Sequence, residues 1–184
     1  MEQEEKAPTL LSHALKWGVI AGAVSIALVV ILYVVDYTMM VQLKFLLVSL
    51  LISLGLVSYA GVDYRKTVGG FLPYGKAWQH GYVTFVTSGL IYTLFAMLLY
   101  FVIDPELPEK LVEASLENAR TMMENFGAPA DQIDTEVEKA RARTENQFTA
   151  GGLATGFGIS LIIYAILASI TALFARKNPP IDQM

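Results

Sequence analysis

Apolar residues fall into four long runs along the chain, at residues 17–35, 43–62, 82–103 and 151–174. A helix rising 1.5 Å per residue needs about 20 residues to cross a hydrocarbon core of ~30 Å, and each run is of that length. The first, WGVIAGAVSIALVVILYVV, and the fourth, GGLATGFGISLIIYAILASITALF, contain no charge. In the second, Lys44 lies one residue from the end, where its stem can carry the ammonium back to the interface. Backbone groups in lipid must be satisfied within their own segment, so the runs are predicted as helices and not open strands. The pattern therefore predicts an all-α polytopic membrane protein with four transmembrane helices.

Between runs three and four the pattern changes. Residues 104–147 hold eleven acids and five bases. Pro108 suits a first helical turn, and Val112, Leu116, Ala119, Met123 and Phe126 follow at spacings that place them on one helix face. Gly127-Ala128-Pro129 ends that helix, and Ile133, Val137, Ala140 and Thr144 repeat the pattern. Glu106 with Lys110, Glu117 with Arg120, Glu136 with Lys139 and Glu138 with Arg141 are at pairing distance along such helices. An external helical hairpin between spans three and four is predicted. Its apolar stripes can close against each other as a cap, or Met122, Met123 and Phe126 can present an adaptable contact to a partner. The acids lack the alternating spacing and Gly of a calcium loop and read as a solvated surface.

Composition agrees with the membrane reading: 54% of the 184 residues are apolar, 16% are charged, and mean hydropathy is +0.49. Trp17, Tyr33, Tyr37, Tyr59, Tyr64, Trp78, Tyr82 and Tyr100 fall near the ends of the runs, as aromatic belts do. The absence of Cys excludes disulfides, thiolate metal sites and a thiol nucleophile. A net charge of −4 argues against nucleic acid as a partner. The acidic start MEQEEK, with no small-residue cleavage motif after a short apolar stretch, predicts that the first span is retained.

Orientation rests on the short connections. The 63–81 linker carries Arg65, Lys66 and Lys76 against Asp63, and the tail carries Arg176 and Lys177 against Asp182. The expected arrangement has both termini cytoplasmic and the hairpin outside, although Lys and Arg totals on the two sides are nearly equal. The segments are thus a cytoplasmic start (1–16), spans one to three (17–103), the acidic hairpin (104–148), span four (149–175) and a cytoplasmic tail (176–184).

Within the linker, GFLPYGKA at residues 70–77 approaches the phosphate-binding pattern G-x-x-x-x-G-K-[ST]. Ala77 stands where the magnesium-binding hydroxyl belongs, and apolar spans flank the motif on both sides. No nucleotide or other cofactor is expected. Gly69, Gly70, Pro73 and Gly75 instead suggest a turn at the membrane surface, with Phe71, Leu72 and Tyr74 in the interface and Arg65, Lys66 and Lys76 toward lipid phosphates.

The stretch YRKTVGGFLPYGKAWQHG, residues 64–81, resembles the signature of a bacterial family of small four-helix membrane proteins, the domain-of-unknown-function family numbered 4199. Tyr64, Arg65, Gly69, Gly70, Tyr74, Gly75, Lys76, Ala77, Trp78 and Gly81 occupy the signature positions. The layout is similar too, with two spans on either side of the linker and a long charged loop between the last pair. The resemblance implies a bacterial inner-membrane protein and carries no activity.

Small residues mark the spans: Gly18 and Gly22 form a GxxxG, and Gly152, Gly156 and Ser160 continue a stripe at intervals of four. They suit packing of spans one and four within one bundle, packing between copies, or packing against a different membrane protein. No ionisable residue lies at the middle of a span, where coupled transporters place them. The hydroxyls of Thr84, Thr87 and Ser88 could line a pore built from several copies. His13 and His80 are the only histidines, one before the first span and one at the inner start of the third, so a multi-histidine metal site is not expected and no catalytic arrangement has a motif behind it. His80 near Lys76 and Asp63 is read as an interfacial hydrogen-bonding residue. The expected role is a non-enzymatic accessory, scaffold or assembly subunit in contact with the bilayer and with a second copy or another membrane protein; the alternative is a small oligomeric channel or carrier for neutral solutes.

Overall fold

The computed structural model describes residues 8–179; the acidic start MEQEEK and Asp182 of the tail lie outside the described residues. Six α-helices follow in order: α1 (Leu10–Asp36), α2 (Leu43–Thr67), α3 (Tyr74–Leu98), α4 (Leu107–Asn125), α5 (Ala130–Gln147) and α6 (Ala150–Ala175). A 3-10 turn (Tyr37–Val41) leads from α1 toward α2, and a π-helical turn (Leu99–Ile103) extends α3. Four of the helices, α1, α2, α3 and α6, are long and apolar enough to cross a membrane. No strand occurs among the described residues, and the isolated antiparallel bridge Leu72 to Lys177 ties the linker to the tail.

The helices are longer than the apolar runs. Thr9 caps α1, its hydroxyl oxygen accepting from the Ser12 amide at 3.2 Å, so the helix takes in His13 and Lys16 before the apolar run begins at Trp17. Only residues 68–73 of the linker lie outside helix, with Arg65 and Lys66 in the last turn of α2 and Gly75 and Lys76 in the first turn of α3. The sharp reversal falls at Gly69 and Gly70, whose φ of +87° and +86° suit a residue without a Cβ.

The chain divides into two compact units, and each of the four long helices contributes to both. The first unit contains the chain up to Val24, Leu50–Ile91 and the residues from Ser160. Its core is made by small residues on narrow helix faces: Val57, Ala60, Gly61 and Tyr64 on α2, and Ala168, Thr171, Ala172 and Ala175 on α6, both at the same helical spacing. A Cβ on Gly61 would lie 2.7 Å from the Ala175 Cβ, and one on Gly81 would lie 2.9 Å from the Thr171 Oγ1. Glycine at these points lets the backbones close to contact, which is how helices associate where lipid removes the hydrophobic drive between them. Large apolar side chains such as Leu51, Ile162, Ile166 and Phe174 point outward, as a lipid-facing surface requires.

The second unit contains Ser25–Ser49 and Tyr92–Ile159. Val29, Ala96, Leu99, Tyr100, Leu107 and Leu111 form its core, with Tyr33 and Phe148 packed against it, so α4 is rooted by its own first turns. The Tyr33 hydroxyl donates to Asp104 Oδ2 at 3.1 Å, and the Lys110 ammonium lies 3.9 Å from the other Asp104 oxygen and 3.2 Å from Glu106. The helices α4 and α5 double back on each other through Gly127, at φ +77°, and bury Val112, Leu116 and Ile133. Arg120 pairs across to Asp134 at 2.8 Å instead of with Glu117 along its own helix, because the returning α5 brings an acid into reach.

Arg141 likewise reaches Glu113, at 2.6 Å and 3.4 Å, and this hydrogen bond holds the Glu113 carboxyl below its ordinary 4.5. A depressed carboxyl stabilises the folded form fully above its ordinary value and ceases to do so as pH falls through the depressed one. Amide-exchange protection in α4 and α5 is therefore expected to drop on acidification below the ordinary carboxyl value. The drop should be smaller in Glu113→Gln and at high salt, the pair being exposed. Equal acid sensitivity in Glu113→Gln would contradict this contact.

Candidate functional site

The most elaborated polar site lies in the first unit, where α1, α2 and α3 bring together residues distant in sequence. His13 and Trp17 stand one turn apart on α1 and face the same way. The Nε2–H of His13, at 3.3 Å, and the Nε1–H of Trp17, at 3.2 Å, both donate to Oδ2 of Asp63 on α2. The Nδ1 of His13 lies 2.9 Å from Nε2 of His80 on α3. Tyr64 stacks on the His80 ring at 5.2 Å and 14°, and Tyr59 meets Trp17 edge-on at 5.4 Å.

The side chains differ sharply in exposure. His80 is wholly enclosed at 0%, whereas the Asp63 side chain keeps 38% of its surface. His80 is therefore an internal residue, and it is hydrogen-bonded as expected from the sequence. Its enclosure is tolerated because Nε2 is bonded to His13 and its carbonyl accepts from Thr84 Oγ1 at 2.8 Å. Its Nδ1 has no hydrogen-bond partner among the described residues.

The network fixes the tautomers. An ionised Asp63 can only accept, so His13 carries hydrogen on Nε2; neutral His13 then accepts at Nδ1, and His80 supplies the hydrogen from Nε2. A carboxylate behind an imidazole is the orienting half of a general base. Here the imidazole's other nitrogen is taken by a second, enclosed imidazole, so no nucleophile faces a substrate. Among the described residues no group of three or more potential metal ligands is assembled.

The linker residues serve the same unit. Arg65 donates from one guanidinium nitrogen to the carbonyls of Ala175, at 3.0 Å, and Arg176, at 3.5 Å, and so satisfies the end of α6. That nitrogen is thereby committed to the end of α6. Lys66, Lys76, Tyr74 and Gly75 are exposed. Leu72 is buried through its bridge to Lys177, and the Lys177 ammonium sits 5.7 Å above the Phe71 ring. Trp78 packs inward, stacked on Tyr82, its Nε1–H donating to the Ala165 carbonyl at 3.1 Å and to Ser169 Oγ at 3.2 Å. Arg65→Ala is expected to lower thermal stability in detergent by about 1–2 kcal/mol. Lys66→Ala, its exposed neighbour, should change nothing; equal effects of the two would exclude the capping role.

The small-residue stripes separate into different uses. A Cβ on Gly18 would lie 2.5 Å from Thr87 Cβ, and one on Gly22 would lie 2.9 Å from Ile91 Cγ2, so these glycines seat α1 on α3, whereas the sequence pointed to the fourth span. A Cβ on Gly152 would run into the Asn146 carbonyl in the α5–α6 turn, and Gly156 has open space around it. Ser160 is half-buried in α6. The face of α6 that packs in the first unit is the Ala168, Thr171, Ala172, Ala175 set, legible as small residues at helical spacing but without a glycine to draw attention.

Two of the three hydroxyls named for a pore, Thr84 and Thr87, are engaged. Thr84 Oγ1 bonds His80 and Ala14 carbonyls, and Thr87 Oγ1 bonds the Val83 carbonyl at 2.8 Å while its methyl meets Gly18. At the α4–α5 turn Met122 and Phe126 are exposed, at 55% and 80%, while Met123 is half-buried. The sequence places His80 near Asp63 but does not bring His13 to them; the one trace of the pair is that both histidines stand a turn or so before an apolar run.

Comparison with known proteins gives a family match: the model described as Protein of unknown function (DUF4199) matches residues 16–177. No curated protein and no solved structure matches the chain.

Proposed function

The chain belongs to that family of unknown function, and from this premise we propose that it is a non-enzymatic accessory or assembly subunit of the bacterial inner membrane. Its termini are cytoplasmic, and α4 and α5 stand outside to meet a partner. One observation carries the reading. Phe126 and Met122 are exposed on a pair of helices whose remaining exposed surface is mostly charged and polar. An aromatic ring and a thioether placed together on such a surface cost solubility and fit a contact made by adaptable packing. The enclosed histidine pair, which offers no group to a substrate, supports a role without catalysis.

Gentle extraction from the native membrane through a tag on the C-terminal tail, followed by sizing and mass spectrometry, tests this. A single membrane protein recovered at fixed ratio, and lost in Met122→Ser/Phe126→Ser, is expected. A monodisperse monomer or homo-oligomer with no companion would contradict it.

A further inference from the structure

We propose that Asp63, His13 and His80 form a binding site for a single proton, shared along the hydrogen-bonded path from the part-exposed carboxylate to the buried Nδ1 of His80. The path is continuous: 3.3 Å from Asp63 Oδ2 to His13 Nε2 and 2.9 Å from His13 Nδ1 to His80 Nε2. Its inner end is a ring nitrogen without a hydrogen-bond partner among the described residues. In the empty state both rings are neutral, with hydrogens on His80 Nε2 and His13 Nε2.

One proton, taken from hydronium with release of water, adds a hydrogen at His80 Nδ1. The His80 Nε2–H bond breaks as a His13 Nδ1–H bond forms, and the positive charge then resides on His13 against the Asp63 carboxylate. Heavy atoms need not move. A second proton would put hydrogens on both facing nitrogens, which a 2.9 Å contact excludes. The two rings thus take one proton between them and no more.

The surroundings supply one counter-charge. From α1 the pair is approached by Lys16 and Trp17, from α2 by Asp63 and Tyr64, and from α6 by Ala168 and Thr171, which pack on Gly81 and bring no charge. Asp63 is the acid in contact, so the added charge has one counter-charge. The Trp17 indole shares the Oδ2 atom with His13, and its own hydrogen bond reports the charge on that oxygen.

That coupling supplies the test. The chain has two tryptophans, so Trp78→Phe leaves Trp17 as the only indole. Emission of the full-length reporter in detergent or lipid nanodiscs is followed from about pH 8 to 4, the range in which imidazoles gain charge. One step with a single-proton slope is expected, lost on adding His13→Gln or His80→Gln. The site is overturned by the absence of any step, by a two-proton slope, or by a step that persists unchanged in His80→Gln. A step that vanishes on adding chelator would also overturn it and assign the cluster to a metal ion. If the histidine variants do not fold, the slope of the reporter alone decides.

Discussion

Gly18→Leu is expected to cost on the order of 3 kcal/mol and to abolish a stable fold in mild detergent. The reason is the absence of room. Even a Cβ at this position would lie 2.5 Å from the Thr87 Cβ and 3.1 Å from the Thr84 carbonyl, and neither is the free end of a flexible side chain. Accommodating leucine means moving α1 off α3, which also pulls His13 away from His80. The control is Gly156→Leu, where nothing lies within 4 Å and a better helix former replaces glycine. Thermal unfolding of the two variants should differ widely, with Gly156→Leu no less stable than the parent. Comparable losses would mean that the α1–α3 seam is not where the helices are closest.

His80→Leu is expected to destabilise by about 1–3 kcal/mol, because it strands the Nδ1 of His13 in an enclosed site. His13→Leu strands the His80 ring and takes a donor from Asp63, at a similar cost. The double variant removes both halves of the bond, leaves no imidazole unpaired, and should cost clearly less than the sum of the singles. Thermal unfolding of the four proteins gives the coupling directly. Strict additivity would show that the two rings do not share a hydrogen bond.

The two positions illustrate what a sequence can and cannot tell about such a chain. Four spans are legible because length and apolarity are local properties of a segment, and α1, α2, α3 and α6 appear where the runs predict them. Their ends are not legible. Hydropathy scores His13, Lys16, Lys76 and His80 as though each had to face water or lipid, whereas the two histidines bond each other inside and His13 also bonds Asp63. For the same reason the linker shrinks to a few residues: Arg65 continues α2 because its guanidinium finds the end of α6. Glycine spacing identified Gly18, Gly22 and Gly156 alike, and only tertiary placement shows that the first two are occupied seams and the third is not. At α4 the periodicity was sufficient for Val112 and Leu116, which are buried, while Met123 and Met122 are adjacent in sequence and differ in exposure because successive residues point to different sides of a helix.

The central claim is that the exposed turn between α4 and α5 is a contact surface for another membrane protein. Site-specific photocrosslinking in intact cells tests it most directly, with a benzophenone side chain replacing Phe126 in one strain and the exposed Gln132 in another. The account expects one discrete protein adduct from position 126, identified by mass spectrometry as the same membrane protein in repeated preparations, and a weaker or absent adduct from position 132. Only lipid adducts, or none, at position 126 would contradict it.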